Sequence, residues 1–481
     1  MNKKMVISTL GQLTLSEAAL MLLPLITSLI YGEMRVALAF LVAIVVAALL
    51  GGAMFLLFRT ENKLIYAKEG FVIVAFGWLI MSAIGALPFV ISGDIPSYVD
   101  AFFETVSGFT TTGASILGNV ELLSHGALFW RSFTHWVGGM GVLVFVMAVL
   151  PSISDRSIHI MRAEMPGPIV GKIVPRARQT ARILYVIYFV MTVAQIVLML
   201  LGGMPLFDSV LHAFGTAGTG GFGIKADSIA SYSPYLQWVI AIFMFLFGVN
   251  FNLYYLFIMK KFRSAIKSGE FWAYVGITAG AITLICINIY PSFGSFGEAL
   301  RASAFQVSSI ITTTGFSTVD FNLWPTMSKT VILILMFVGA CAGSTGGGFK
   351  VTRVVMLIKT IKQELKRMLH PRSVSTVKFE GKALDRTTTA SVGTYLALYL
   401  VCFVVIVLVI SFEPFDFETT FSAALSCFNN IGPGFSSVGP MASYAEYSAF
   451  SKIVLSLAML LGRLEIYPLL IALSPSTWTK K

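Results

Sequence analysis

Charge is scarce in this chain. Asp, Glu, Lys and Arg make up 12% of its 481 residues, about half the share of a soluble globular domain. That shortage excludes a cytoplasmic enzyme and a disordered protein. Cysteine is scarce as well: Cys286, Cys341, Cys402 and Cys427 all lie in apolar stretches and none forms a CxxC pair. A disulfide framework and a zinc site are therefore excluded. HExxH, the G-x-S-x-G elbow and Cys/His clusters are missing. GTGGFG (218–223) has dinucleotide-loop spacing but follows no strand. The 343–350 segment would pass for a phosphate loop except that Phe349 holds the lysine position.

Apolar residues are in excess instead, at 56%, with a mean hydropathy of +0.83. A membrane span needs about 20 of them in a row. Ten runs qualify: 9–31, 36–58, 71–93, 127–150, 182–202, 236–259, 271–290, 328–360, 389–411 and 449–474. Ten spans put both termini on one side. That side holds 27 of the Lys and Arg residues, the opposite side holds six, and Arg463 lies within the last run. Positive charge gathers inside, so the termini are expected in the cytoplasm. The opening MNKKM, running into a segment with Glu17, is not expected to be a cleaved leader. Thirteen acids fall outside. Either they concentrate cations at an outer mouth, or bases have merely been excluded there.

Four outer connections share one plan: DAFFETVSGFTTTGAS (100–115), DSVLHAFGTAGTGGFG (208–223), ASAFQVSSIITTTGFS (302–317) and TTFSAALSCFNNIGPG (419–434). Each is an apolar stretch too short to cross, ending in a Gly/Thr-rich turn. Ungapped alignment superposes Gly113, Gly221, Gly315 and Gly432, with Ser107, Gly215, Ser309 and Ser426 six residues earlier. Irregular backbone inside a membrane is tolerated only in protein or beside water. The expected fold is an all-α polytopic membrane protein: a two-span preamble (1–69), then span–short helix–span repeats at 70–151, 181–270, 271–361 and 388–481 around a pseudo-fourfold pore. Glycine permits the positive φ that turns successive carbonyls inward, and carbonyl rings replace a cation's hydration shell. The helix C-termini add partial negative charge. Thr hydroxyls of loops one and three would add oxygen ligands.

The eighth run contains CAGSTGGGFK (341–350). Its consecutive glycines, each costing a helix about 1 kcal/mol, should open that span into a gate; a packed GxxxG contact through Gly343 and Gly347 is the alternative. Arg463 must face protein or water, as a positive barrier or as an anchor on loop carbonyls. Glu465 is too near in sequence to be its partner on one helix face. Glu17 reads as a lipid-interface residue or a contact with a second copy, and His212 as a structural hydrogen-bonder.

These motifs, with WRSFTHWVGGMG (130–141), AEMPGP (163–168), LHPR (369–372) and LLGRLEIYP (460–468), make the chain resemble the membrane subunits of Trk-type bacterial potassium transporters, in the Trk/Ktr/HKT superfamily. The resemblance covers almost the whole length. It implies potassium uptake across the bacterial inner membrane, with potassium held around Thr111, Thr112, Gly113, Thr219, Gly220, Gly221, Thr313, Thr314, Gly315, Asn430, Ile431 and Gly432. It implies a gate of Gly343, Ser344, Thr345, Gly346, Gly347 and Gly348, with Arg463 beneath the filter. It also implies a homodimer in membrane lipid, and a cytosolic nucleotide-binding TrkA-type subunit docked on 350–386 and 151–181. No cofactor other than the potassium substrate is implied, and no nucleic acid. Whether conduction is channel-like or coupled to protons or sodium stays open. Loop two departs from the family with Gly215, Gly218 and Gly223 where Ser or Ala is expected, which would loosen it. In loop four, Gly434 competes with Gly432. A membrane-embedded enzyme acting on lipid or glycan is the alternative function; it would need an acid pair or nucleophile–base pair that the sequence does not offer.

Overall fold

The computed structural model describes residues 1–60, 66–141, 177–371, 376–380, 382–384 and 386–479. The chain is helical, as its composition requires. Among the described residues the one β pairing is a two-residue antiparallel ladder, Lys378–Phe379 against Lys382–Ala383. Six helices are long and apolar enough to cross a bilayer: Lys3–Ile30, Met34–Leu57, Ala67–Ser92, Ala181–Leu201, Gly269–Ser292 and Thr387–Ile410. Two bent pairs raise the number to eight. Of the remaining two expected runs, 127–150 leaves the described residues at 142, and 328–360 is split in two.

The first two spans cross at glycine. A Cβ on Gly11 would sit 2.7 Å from the Gly51 carbonyl oxygen, and one on Gly51 would sit 2.9 Å from that of Gly11. Such close backbone approach is the membrane's usual means of helix association. The outward face of the second span is bare Leu38, Leu41, Val45 and Leu49; in a bilayer that surface is solvated by lipid.

Four short helices follow the plan of the four matched segments: Tyr98–Phe109, Leu206–Gly218, Phe296–Ile311 and Phe417–Asn429. Three begin at a side-chain cap, from Ser97, Ser295 and Asp416, and Pro205 opens the other. Each is followed by a second helix, His125–Gly139, Pro234–Phe247, Thr326–Val338 and Ala449–Arg463. The second helix of the first pair packs on short helices one and two. That of the second pair packs on short helices two and three, and that of the third on three and four. The last packs on four and one. The cycle closes, so the four pairs surround a common axis.

The second helices break more often than expected. The 236–259 run bends by 90° after Phe247, and the 449–474 run by 119° after Arg463. The 328–360 run ends its helix at Val338 and resumes at Val351. The cause is contact with the short helices. Gly138 and Gly462 press against the terminal carbonyls of Phe109 and Phe428, with no room for a Cβ. Gly248 sits against Thr312 and Tyr274. At 464–466 the chain reverses through positive φ at Glu465 and Ile466. Apolar composition conceals such breaks, because a broken span remains apolar.

Candidate functional site

Each short helix ends in one turn geometry. The amides of Thr112, Gly220, Thr314 and Ile431 donate to the carbonyls of Ser107, Gly215, Ser309 and Ser426, at 2.8 to 3.0 Å. This is the 6→1 bond of a Schellman cap. It explains why small residues recur six positions before each glycine. The chain then alternates. Thr111, Thr219, Thr313 and Asn430 have φ between 54° and 58°, the next residue returns to negative φ, and Gly113, Gly221, Gly315 and Gly432 are positive again. Asn tolerates this region, whereas β-branched Thr does not. Strain of this kind clusters at functional sites, and here it recurs in three threonines at matching positions.

The four turns meet. A Cβ on Gly113 would fall closer than 3.0 Å to the Gly220 carbonyl oxygen. Gly221 stands in the same relation to Thr314, Gly315 to Ile431, and Gly432 to Thr112. Every glycine abuts the carbonyl that precedes the next glycine, and the fourth returns to the first. Gly432, not Gly434, occupies the fourth position; its carbonyl also accepts from the Tyr444 hydroxyl at 2.9 Å. All four glycines line an open cavity of about 180 Å³. Among the described residues, the charged side chains on its wall are Arg131 and Lys225. Glu104 pairs with Arg131 on that wall at 2.6 Å, Asp100 with Lys452 at 2.6 Å and Glu418 with Lys329 at 3.2 Å, and Glu121 accepts from the amide of the wall residue Ala226 at 3.2 Å.

The hydroxyls of Thr112 and Thr314 bond to those of Thr110 and Thr312 at 2.8 Å, so they brace the turns, while the buried Thr111 hydroxyl has no protein partner among the described residues. Loop two is not slack either. The missing Cβ positions of Gly218 and Gly220 are filled by His135, and that of Gly215 by Phe316.

Beneath the ring lies the 339–350 segment, with positive φ at Gly339, Gly343, Gly348 and Lys350. Gly346 presses on the Thr312 carbonyl and Gly347 on that of Asn429, so a GxxxG helix contact is not formed. The Gly347 amide donates to the Thr313 hydroxyl at 2.6 Å, which ties this loop to the ring. Its other side is held by the elbow of the 236–259 run: Cys341 N to Gly248 O at 3.1 Å, and Phe251 N to Gly343 O at 3.0 Å. Glu270 accepts from the Ala342 amide at 2.6 Å and from the Thr352 hydroxyl. The Lys350 ammonium, itself buried, caps the Gly346 carbonyl.

Arg463 ends its helix and donates to three carbonyls: Thr345 at 2.8 Å, Gly138 at 2.6 Å and Gly139 at 2.7 Å. An arginine at the centre of a membrane helix costs about 2.5–3.5 kcal/mol. Three bonds from a charged donor, at roughly 1.5–3 kcal/mol each, offset that. The anchor reading holds, and one of the anchored carbonyls belongs to the loop. Glu465 pairs with Arg353 at 2.7 Å, whose guanidinium lies over the Tyr395 ring.

Sequence reasoning missed several supports. His135 Nδ1 donates to Gly108 O at 2.7 Å and its Nε2 accepts from Phe222 N at 3.3 Å, joining loops one and two. Arg131 links Glu104 to the Gly223 carbonyl at 2.9 Å. The signal was available in WRSFTHW, polar residues spaced along an apolar run, but their partners are remote in sequence. Glu17 is neither at lipid nor on an outer face: it is fully buried beside Gly85, Thr105 and Phe109. His212 bonds the Tyr232 hydroxyl at 3.2 Å, as expected. AEMPGP and residues 151–176 of the expected 151–181 loop lie outside the described residues, while 177–181 open the helix Ala177–Leu201.

A family model described as TrkH, cation transport protein, matches residues 37–275 and 275–480. The Trk system potassium uptake protein TrkH of Salmonella typhimurium is 35% identical over 475 residues, which are 97% of this chain and 98% of that protein. Its namesake in Escherichia coli K12 is 34% identical with the same coverage. The crystal structure of the potassium transporter TrkH from Vibrio parahaemolyticus matches with a TM-score of 0.89 at 33% identity, with both chains covered in full. The closed ring of turns, the cycle of helix pairs and this likeness over the full length agree: the chain is a polytopic helical membrane protein and belongs to the TrkH family of cation transport proteins, a family of transporters and not of enzymes.

Proposed function

We propose that this chain is the membrane subunit of a potassium uptake system. Its relatives are named for potassium uptake, and the ring has the chemistry for that ion. The carbonyls around Thr111–Gly113, Thr219–Gly221, Thr313–Gly315 and Asn430–Gly432 take the place of water around potassium. Four negative helix ends point at the same centre. The observation that carries the reading is the cyclic contact of each glycine with the carbonyl of the next loop. The four span–short helix–span units, 70–151, 181–270, 271–361 and 388–481, act as one pore after the 1–69 preamble.

Gly343, Ser344, Thr345, Gly346, Gly347 and Gly348 form the gate, and Arg463 latches it. With Gly346 and Gly347 against the ends of short helices three and four, the loop blocks the exit from the ring. Opening moves the loop aside and releases the Thr345 carbonyl from Arg463. A TrkA-type cytosolic subunit docking on the basic 350–386 segment supplies that force, and the chain works as a homodimer. It lies in the bacterial inner membrane with both termini in the cytoplasm.

Conduction is channel-like in this reading: of the two midplane acids, Glu465 pairs with Arg353 and Glu17 is packed beside Gly85, so they do not form a pair with each other. Rubidium-86 uptake into proteoliposomes that hold the chain with its cytosolic subunit, with and without a sodium or pH gradient, tests it. Uptake driven by the rubidium gradient alone is expected. A strict need for sodium or a proton gradient would reject the channel form, and absence of uptake under every gradient would reject potassium transport.

A further inference from the structure

The elbow that grips the gate loop has a second feature. Beside it lies an apolar cavity of about 220 Å³, lined by Phe245, Val249, Leu253, Phe257, Ile266 and Phe271. It opens between the helices Phe251–Ile258 and Phe262–Ile266 and the start of Gly269–Ile289. The hydroxyl of Tyr254, which also lines it, is taken by the Leu246 carbonyl at 2.6 Å. No polar group is left there to hold a polar ligand. The lip is open, with Phe257, Ile258 and Ile266 about half exposed.

Charge gathers at this lip. Lys260, Lys261, Arg263 and Lys267 are all exposed, and none forms an ion pair among the described residues. Trp272, largely exposed, donates its indole N–H to the Ile266 carbonyl at 2.8 Å. A tryptophan with a wet polar end and an apolar body marks headgroup depth. The segment lies on the face that the charge count assigns to the cytoplasm, where anionic headgroups meet basic clusters.

We propose that the cavity and its rim form a binding site for one acidic phospholipid. An acyl chain fills the cavity, and the phosphate sits among Lys260, Lys261, Arg263 and Lys267. Charge complementarity selects the acidic class; the dry lining selects a hydrocarbon tail over any soluble ligand. This goes beyond potassium uptake, and its consequence falls on the gate. The walls Phe245–Val249 and Leu253 belong to the elbow whose Gly248 carbonyl and Phe251 amide hold Cys341 and Gly343. A filled cavity keeps that elbow in place.

The test is native mass spectrometry of the full chain after partial delipidation from mixed phosphatidylglycerol and phosphatidylcholine vesicles. The unaltered chain is expected to retain phosphatidylglycerol preferentially. Replacing Lys260, Lys261, Arg263 and Lys267 by Gln should weaken its retention about fivefold per charge and leave phosphatidylcholine unaffected. Leu253→Trp should displace both lipids; if that variant does not fold, the surface variant decides alone. Equal retention of the two lipids by the unaltered chain would overturn the proposal and leave an unselective lipid crevice. Unchanged phosphatidylglycerol retention in the Gln variant would overturn it too, as would no retained phospholipid, which would leave the crevice to protein contact. The readout needs no transport, so it stands apart from the potassium reading.

Discussion

At the scale of single residues the ring is a problem of crowding. A side chain at Gly315 would collide with the Ile431 carbonyl while holding a φ of 88°. Gly315→Ser must therefore displace the neighbouring loop, not merely fill space. We expect its potassium-over-sodium preference to fall at least about tenfold, an energy of about 1.4 kcal/mol, measured as rubidium-86 against sodium-22 flux; an unchanged ratio would remove Gly315 from the filter. His135 acts from behind. Removing its ring in His135→Ala frees the Gly108 carbonyl and the Phe222 amide in a dry interior, at roughly 1–3 kcal/mol for each orphaned group. It also opens space beside Gly220. A lower unfolding temperature and a lower selectivity ratio should appear together, and preserved selectivity at reduced stability would make His135 a packing residue only. The four glycines were legible in the sequence because the pattern is local: a helix end, a Schellman turn, a fixed interval. His135 was not, because nothing near it announces that two loops from different units will meet at its ring.

At the scale of elements, the second helices carry the lesson. The three-glycine run at 346–348 announced its own break, but those after Phe247 and Arg463 did not. Their positions depend on where the short helices stop, a tertiary fact that overrides an apolar pattern. Arg463 was legible as an anomaly, whereas its three acceptors were not, since two of them belong to a helix more than 300 residues earlier. That bracing makes a specific prediction. Arg463→Ala should raise basal rubidium flux by freeing Thr345 from the end of the first second helix, and Arg463→Lys should fail to restore closure, because an ammonium lacks the planar fork that reaches three carbonyls. Full closure in the alanine variant would return Arg463 to a packing role. Deleting 343–348 should raise the leak further, and closed-state flux intact after that deletion would reject the gate. The Arg353–Glu465 pair secures the far end of the same loop. Glu465→Gln leaves a buried guanidinium short of its partner, a loss worth about 3–5 kcal/mol where such pairs are broken. It should lower the unfolding temperature clearly more than Arg353→Met together with Glu465→Leu.

At the scale of the whole molecule, sidedness and closure come from different physics. Closure is a packing result: each second helix fits between two short helices, and only a cycle satisfies all four. The sequence disclosed the four matched units but not the order of their contacts, since every helix has the same apolar dress. Sidedness is an electrostatic expectation, drawn from the Lys and Arg positions alone. It is open to a direct check because the chain offers a quiet background. Cys286, Cys341 and Cys427 are buried and Cys402 is partly covered. Lys225→Cys, beside the ring's open cavity, should react with a membrane-impermeant maleimide on intact cells. Lys260→Cys, at the basic elbow, should react only after permeabilisation. Lys260 is exposed, and Lys225 is half-buried on the wall of a cavity that is itself open, so both stay within reach of the reagent. The opposite result would invert the chain, placing the gate loop on the side from which potassium enters and out of reach of a cytosolic subunit.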